Sequence, residues 1–199
     1  MADKVSRTAY HEAGHAVMAW SLHQAVGRVT IVPSKSYAGE AILPIPKWFV
    51  EGNSGPDRAL LWAIKRVMAV MAGYEVVRQR FKEDVSWVHS SDFRDEIGFC
   101  DSVTSGPNES EVLLDWLRER TAATIREGLT RFQIELVAAA LEMKKTLSGR
   151  EVRQLCGMGL RLWVKSKGQP VKSGLTYDEK QKQWRFEEEA QNAHVQDHE

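Results

Sequence analysis

The run His11-Glu12-Ala13-Gly14-His15 constrains this chain more than any other feature of its sequence. Two histidines four residues apart face the same way on a helix, where one turn brings both imidazoles to one side with Glu12 beside them. Ala13, Ala16, Val17 and Ala19 continue the run as a small, closely packable apolar face, and Ser6, Arg7 and Thr8 offer polar residues suited to a helix start. The pattern predicts a helix from about Ser6 to Leu22, ending near Gln24 and Gly27. Three fixed positions match by chance in about one chain of this size in a hundred. The flanking helix therefore argues for a site more strongly than the motif alone.

These residue types suit one kind of chemistry. Neutral imidazole nitrogens bind zinc at roughly 2.0–2.1 Å, and a catalytic zinc keeps one position for water, whose pKa falls towards about 7. His11 and His15 are thus expected ligands of Zn2+. Glu12 is the expected general base, taking a proton during attack on a peptide carbonyl and returning it to the leaving amine. A catalytic zinc also needs a third protein ligand. Asp92, His89, Glu75, Glu83 and Asp84 are candidates, with His23 disfavoured by its place toward the end of the motif helix, and spacing does not choose between them. Glu83 and Asp84 also read as a solvated loop after a basic helix end, and His89 as a plain loop histidine.

At 199 residues the chain can form one catalytic domain with a real core and a tail. Lys and Arg number 27 against 27 Asp and Glu, so no overall basic field draws nucleic acid or an anionic membrane. Cys100 and Cys156 lie too far apart to form a CxxC pair or a disulfide framework, and read as reduced, packed thiols. Met1-Ala2-Asp3-Lys4-Val5 carries no apolar leader, and no apolar run is long enough to cross a bilayer; a soluble, cytoplasmic protein without a membrane partner is expected. Nothing resembles the phosphate-binding pattern GxxxxGK[ST], so no ATP-driven motor is expected.

Further along, Val29-Thr30-Ile31-Val32-Pro33 and Glu40-Ala41-Ile42-Leu43-Pro44 suggest a small sheet beside the motif helix. Three prolines and Gly52-Asn53-Ser54-Gly55 make 44–56 an irregular loop. Helical spacing of Leu60, Leu61, Ile64, Val67, Met68 and Met71 predicts a long helix from Asp57 to about Phe81, with Gly73 inside it for close packing. Ser90 or Ser91 can cap a short helix before Gly98, and Ser105-Gly106-Pro107-Asn108 breaks the chain. From Glu109 to Met143 most residues favour helix, with a weak point at Gly128. Ser148-Gly149-Arg150-Glu151 reads as a capping box for a last helix ending near Gly157. Beyond Lys165 the chain turns polar, and 179–199 is charged and Gln-rich. The expected architecture is mainly α (α+β), a helical zinc-peptidase domain over 1–157 with a small β-sheet beside the motif helix. A polar, partly disordered extension over 158–199 follows.

Several segments together resemble the protease domain of the FtsH family of AAA proteases. They are Thr8-Ala9-Tyr10-His11-Glu12-Ala13-Gly14-His15-Ala16-Val17, Val29-Thr30-Ile31-Val32-Pro33, Ala72-Gly73 and Ser90-Ser91-Asp92. Glu135 to Leu141 and Thr146 to Val152 are similar to that family's terminal helices, so the likeness runs from roughly Val5 to Cys156. The resemblance implies Asp92 as the third zinc ligand, a mostly helical fold with a small sheet, and cleavage of polypeptides. It also implies that an extended substrate adds a strand along an edge at Val29 to Val32, where ordinary core packing is the alternative. The chain departs from the family in three ways. It has neither the ATPase nor the membrane segments, which points to unfolded chains or peptides as substrates. Val77 and Arg78 stand where the family carries paired glutamates, and Gly98-Phe99-Cys100 replaces its Gly-Met-Ser.

The first functional expectation is a soluble, ATP-independent zinc metalloendopeptidase, with a monomer and a small oligomer equally open. The alternative is a non-catalytic binding or regulatory protein that keeps the fold and the metal; an intact Glu12 favours the enzyme. Of seven tryptophans, Trp48 and Trp87 lie in expected loops near the motif elements and could line a cleft or anchor those loops.

Overall fold

Small side chains let helices meet at close range, and the motif helix is where this chain places them. The computed structural model describes residues 4–35, 37–53, 55–82, 91–169 and 174–186, excluding the side chains at 91–93, 95 and 96. Among these residues the order is α1 (Lys4–Ser21), β1 (Val29–Thr30), β2 (Glu40–Ala41), α2 (Lys47–Val50), α3 (Pro56–Phe81), α4 (Ser91–Asp101), α5 (Pro107–Arg126), α6 (Gly128–Lys144), β3 (Thr146–Leu147), α7 (Gly149–Lys165), β4 (Leu175–Asp178) and β5 (Gln183–Phe186). The fold is mainly helical with small antiparallel sheets, as the sequence predicts.

Every residue of α1 from Glu12 to Ala19 is buried. A helix covered on all faces must lie inside the molecule, and α3, α6, α7 and the first sheet surround it. Gly14 permits the closest approach: a Cβ there would stand 2.7 Å from the Ala72 carbonyl oxygen on α3. Leu117, Leu136, Leu141, Leu147 and Leu155 fill the rest of the core. The helix begins at Lys4, two residues before the expected start, so Thr8 is inside it and its hydroxyl donates to the Lys4 carbonyl at 3.1 Å.

The first sheet has the order β2-β1-β3, all antiparallel, with Val29 opposite both Ala41 and Leu147. The strand expected to offer a free edge is therefore central. Val29 is fully buried, and the edges belong to β2 and β3. Within the expected loop of 44–56, α2 forms a single turn.

Two helix boundaries and the C-terminal segment differ from expectation. The stretch from Glu109 to Met143 divides at Glu127, which is extended (φ −61°, ψ 132°), and α6 starts at Gly128. The helix expected to stop near Gly157 runs on to Lys165, because glycine serves contact there: a Cβ at Gly159 would lie 2.9 Å from Gln133 Cγ on α6. The segment expected to be polar extension contains a hairpin, β4 paired with β5, whose Trp184 is buried in the core against Tyr177 with ring centroids 4.8 Å apart. The described part of 158–199 thus packs with the preceding helices. Among the described residues no helix is long and apolar enough to cross a membrane.

Candidate metal centre

On α1, His11 is half-buried, Glu12 is 5% exposed and His15 is 6% exposed. A glutamate buried to this degree is unusual unless its environment or its task requires it. Opposite them, α3 presents Ala69, Gly73 and Tyr74. His15 Nδ1 lies 3.0 Å from the Ala69 carbonyl oxygen. A carbonyl only accepts, so in the neutral ring the proton sits on Nδ1 and the lone pair belongs to Nε2, the nitrogen that faces His11. His11 Nε2 lies 3.0 Å from His15 Nε2, and the His11 ring meets Tyr74 edge to face at 4.9 Å.

Two glycines make this arrangement possible. A Cβ at Gly73 would fall 2.5 Å from His15 Cε1 and Nε2 and 2.8 Å from His11 Cε1, so α3 can pass under both imidazoles only without a side chain there. A Cβ at Gly39, just before β2, would fall 2.8 Å from Glu12 Oε1 and 2.6 Å from Thr8 Cγ2. The backbone leading into β2 therefore lies directly against the carboxylate of Glu12.

The geometry suits a zinc ion. Two nitrogens bound tetrahedrally at roughly 2.0–2.1 Å stand about 3.4 Å apart. The observed 3.0 Å is within a small ring rotation of that value. Two facing nitrogens at this distance share a proton or a cation; with the His15 proton directed at the Ala69 carbonyl, the shared proton is the one on His11 Nε2, in the position a zinc ion would take.

The candidates for a third ligand are described only in part. Asp92 is the second residue of α4, a helix packed on α3, and its side chain lies outside the description. His89, Glu83, Asp84 and Trp87 also fall outside the described residues. Glu75 is engaged elsewhere: Arg78 donates to its two oxygens at 2.7 and 2.8 Å, and Gln79 donates to it while also reaching the Ala122 carbonyl on α5 at 3.1 Å. His23 lies past the end of α1, lining a cleft of about 370 Å³ with Trp48 and Trp62. Among the described residues no third His, Cys, Asp or Glu joins the imidazole pair.

Trp48 anchors its loop. Its ring meets Trp62 at 6.3 Å and carries the Arg58 guanidinium 4.0 Å above its face. Cys100 and Cys156 are buried thiols outside any disulfide, and burial pushes the Cys156 thiol up to about 12, which leaves it unreactive. Sequence reasoning missed Ala69, Tyr74 and Gly39. The first acts through its backbone and so has no residue signature. The other two are recognisable only once α1, α3 and the sheet are placed together. No protein-family model matches the chain, and no curated protein matches it.

Proposed function

We propose that this chain is a zinc metallopeptidase with an FtsH-like protease site, cleaving unfolded polypeptides or peptides without ATP. The observation that carries the proposal is the pair of imidazole nitrogens 3.0 Å apart on one turn of a buried helix, with the buried Glu12 between them in sequence. His11 and His15, with Asp92 as third ligand, would hold zinc, which supplies a Lewis acid able to polarise a peptide carbonyl and acidify water.

The chain's own groups do the rest. Ala69 fixes the His15 tautomer through Nδ1. Glu12 accepts the proton of the attacking water on a carboxylate oxygen and returns it to the departing amine nitrogen. Its burial restricts competing solvent and strengthens its interaction with charge that develops nearby. An extended substrate would pair along β2, the edge strand whose preceding residue, Gly39, touches Glu12. The 199 residues carry no GxxxxGK[ST] loop, and opening a folded substrate can cost up to about 5–15 kcal/mol. Extended, unfolded chains are therefore the substrates the site can engage.

The test is Glu12→Gln. The variant keeps its metal and fold, while cleavage of casein falls by about 10²-fold or more. Undiminished cleavage in Glu12→Gln would rule out the mechanism, and a metal-loaded wild type that cleaves neither casein nor peptides would favour a binding protein.

A further inference from the structure

A half-open cleft of about 400 Å³ lies between the C-terminal end of α3, the junction of α5 with α6, and α7. Its floor is apolar and largely aromatic, built from Tyr10, Ile125, Phe132 and Trp163. The Trp163 ring reaches the floor because residue 128 is glycine: a Cβ there would meet Trp163 Cη2 at 2.4 Å and Cζ2 at 2.7 Å.

The rim has the opposite character. Among the described residues that line it, Arg80, Lys82 and Arg131 stand with one acid, Glu135, three positive charges against one negative. Among the described residues none of the three cations is ion-paired. Arg80 instead lies over the Tyr10 ring at 5.3 Å. Unpaired cations on a convex surface are ordinary, but here they surround an apolar concavity large enough for a small ligand.

We infer that this cleft binds a small amphipathic anion, specifically a medium-chain carboxylate, with its alkyl chain on the Phe132 and Trp163 floor and its headgroup among Arg80, Lys82 and Arg131. The floor sets the requirement for an apolar body, and the charge excess sets the sign of the head. Two arginines supply forked donors that match a carboxylate. The inference is independent of the peptidase reading, because none of the rim residues belongs to the metal centre.

Titration calorimetry on the full chain tests it, using decanoate, acetate and decyltrimethylammonium as probes. Decanoate should saturate one site. Acetate, lacking the chain, should show no binding in the same range, and decyltrimethylammonium should bind at least about tenfold more weakly. The Arg80→Glu/Arg131→Glu double variant changes exposed side chains only and should weaken decanoate by about tenfold or more, with Arg131→Gln giving a smaller loss. Absence of a saturable decanoate site, equal binding of both amphiphiles, or unchanged affinity in both variants would overturn the inference.

Discussion

Gly73 shows how a residue without a side chain can define a site. Alanine at an ordinary interior helix position is about 1 kcal/mol more favourable than glycine, so Gly73→Ala considered as helix chemistry alone should stabilise α3. Its methyl group would stand 2.5 Å from His15 Nε2, the atom proposed to bind zinc. The expected outcome is a folded protein with strongly reduced zinc uptake, measured by metal analysis beside circular dichroism. Uptake equal to wild type would mean that the imidazoles relax freely and that their placement does not depend on the glycine. At this scale the sequence was legible where spacing alone sets placement: four residues apart on a helix, His11 and His15 bring their imidazoles together. It was silent where a carbonyl does the work, as at Ala69, whose contact with His15 replaces an orienting carboxylate. The residues at 77 and 78 could not have provided one: Val77 is buried, and Arg78 is paired with Glu75.

Elements were readable where local signals agreed with packing. The capping box at the start of α7 formed as expected: Glu151 N donates to Ser148 Oγ at 3.3 Å, and Ser148 N donates to Glu151 Oε2 at 2.8 Å. The same carboxylate receives Lys144 from the end of α6, so one acid ties two helices across β3. Burial pushes the Glu151 carboxyl up, but the hydrogen bonds from Lys144 and Ser148 outweigh it and hold the group below its ordinary value. A lowered folded-state pKa contributes stability above the unfolded value of about 4.3, and that contribution disappears as pH falls through the folded value. Glu151→Gln should therefore lower the melting temperature at neutral pH and differ progressively less from wild type as the solution is acidified below about pH 4. A difference that stays constant down to strongly acid pH would contradict this. Elements were misread where tertiary contact overrode local propensity. Gly157 and Gly159 suggest a helix end, yet α7 continues because Gly159 admits Gln133. The alternation Leu175-Thr176-Tyr177-Asp178 and Gln183-Trp184-Arg185-Phe186 was a usable strand signal, hidden by the charged composition around it.

At the scale of the whole molecule, α1 is the organising element, enclosed by α3, α6, α7 and the first sheet, with its imidazoles facing α3. Burying a helix that carries two histidines and a glutamate sacrifices apolar contact at the centre of the fold, a cost more readily explained by a metal than by packing. The pairing of β1 on both sides leaves β2 as an edge strand, next to Glu12 through Gly39, so the proposed substrate strand belongs on β2. The hairpin fixes Trp184 against α7, so the chain beyond Lys165 contributes to the same core. The proposed function rests on one claim, that His11 and His15 hold zinc. Metal analysis of protein purified without added zinc tests it most directly. The account predicts about one zinc per chain in wild type and in Glu12→Gln, strong loss in His15→Ala and Asp92→Ala, and no loss in His89→Ala. A wild-type protein that neither carries nor takes up zinc, or a His15→Ala variant that binds it as well as wild type, would contradict the account.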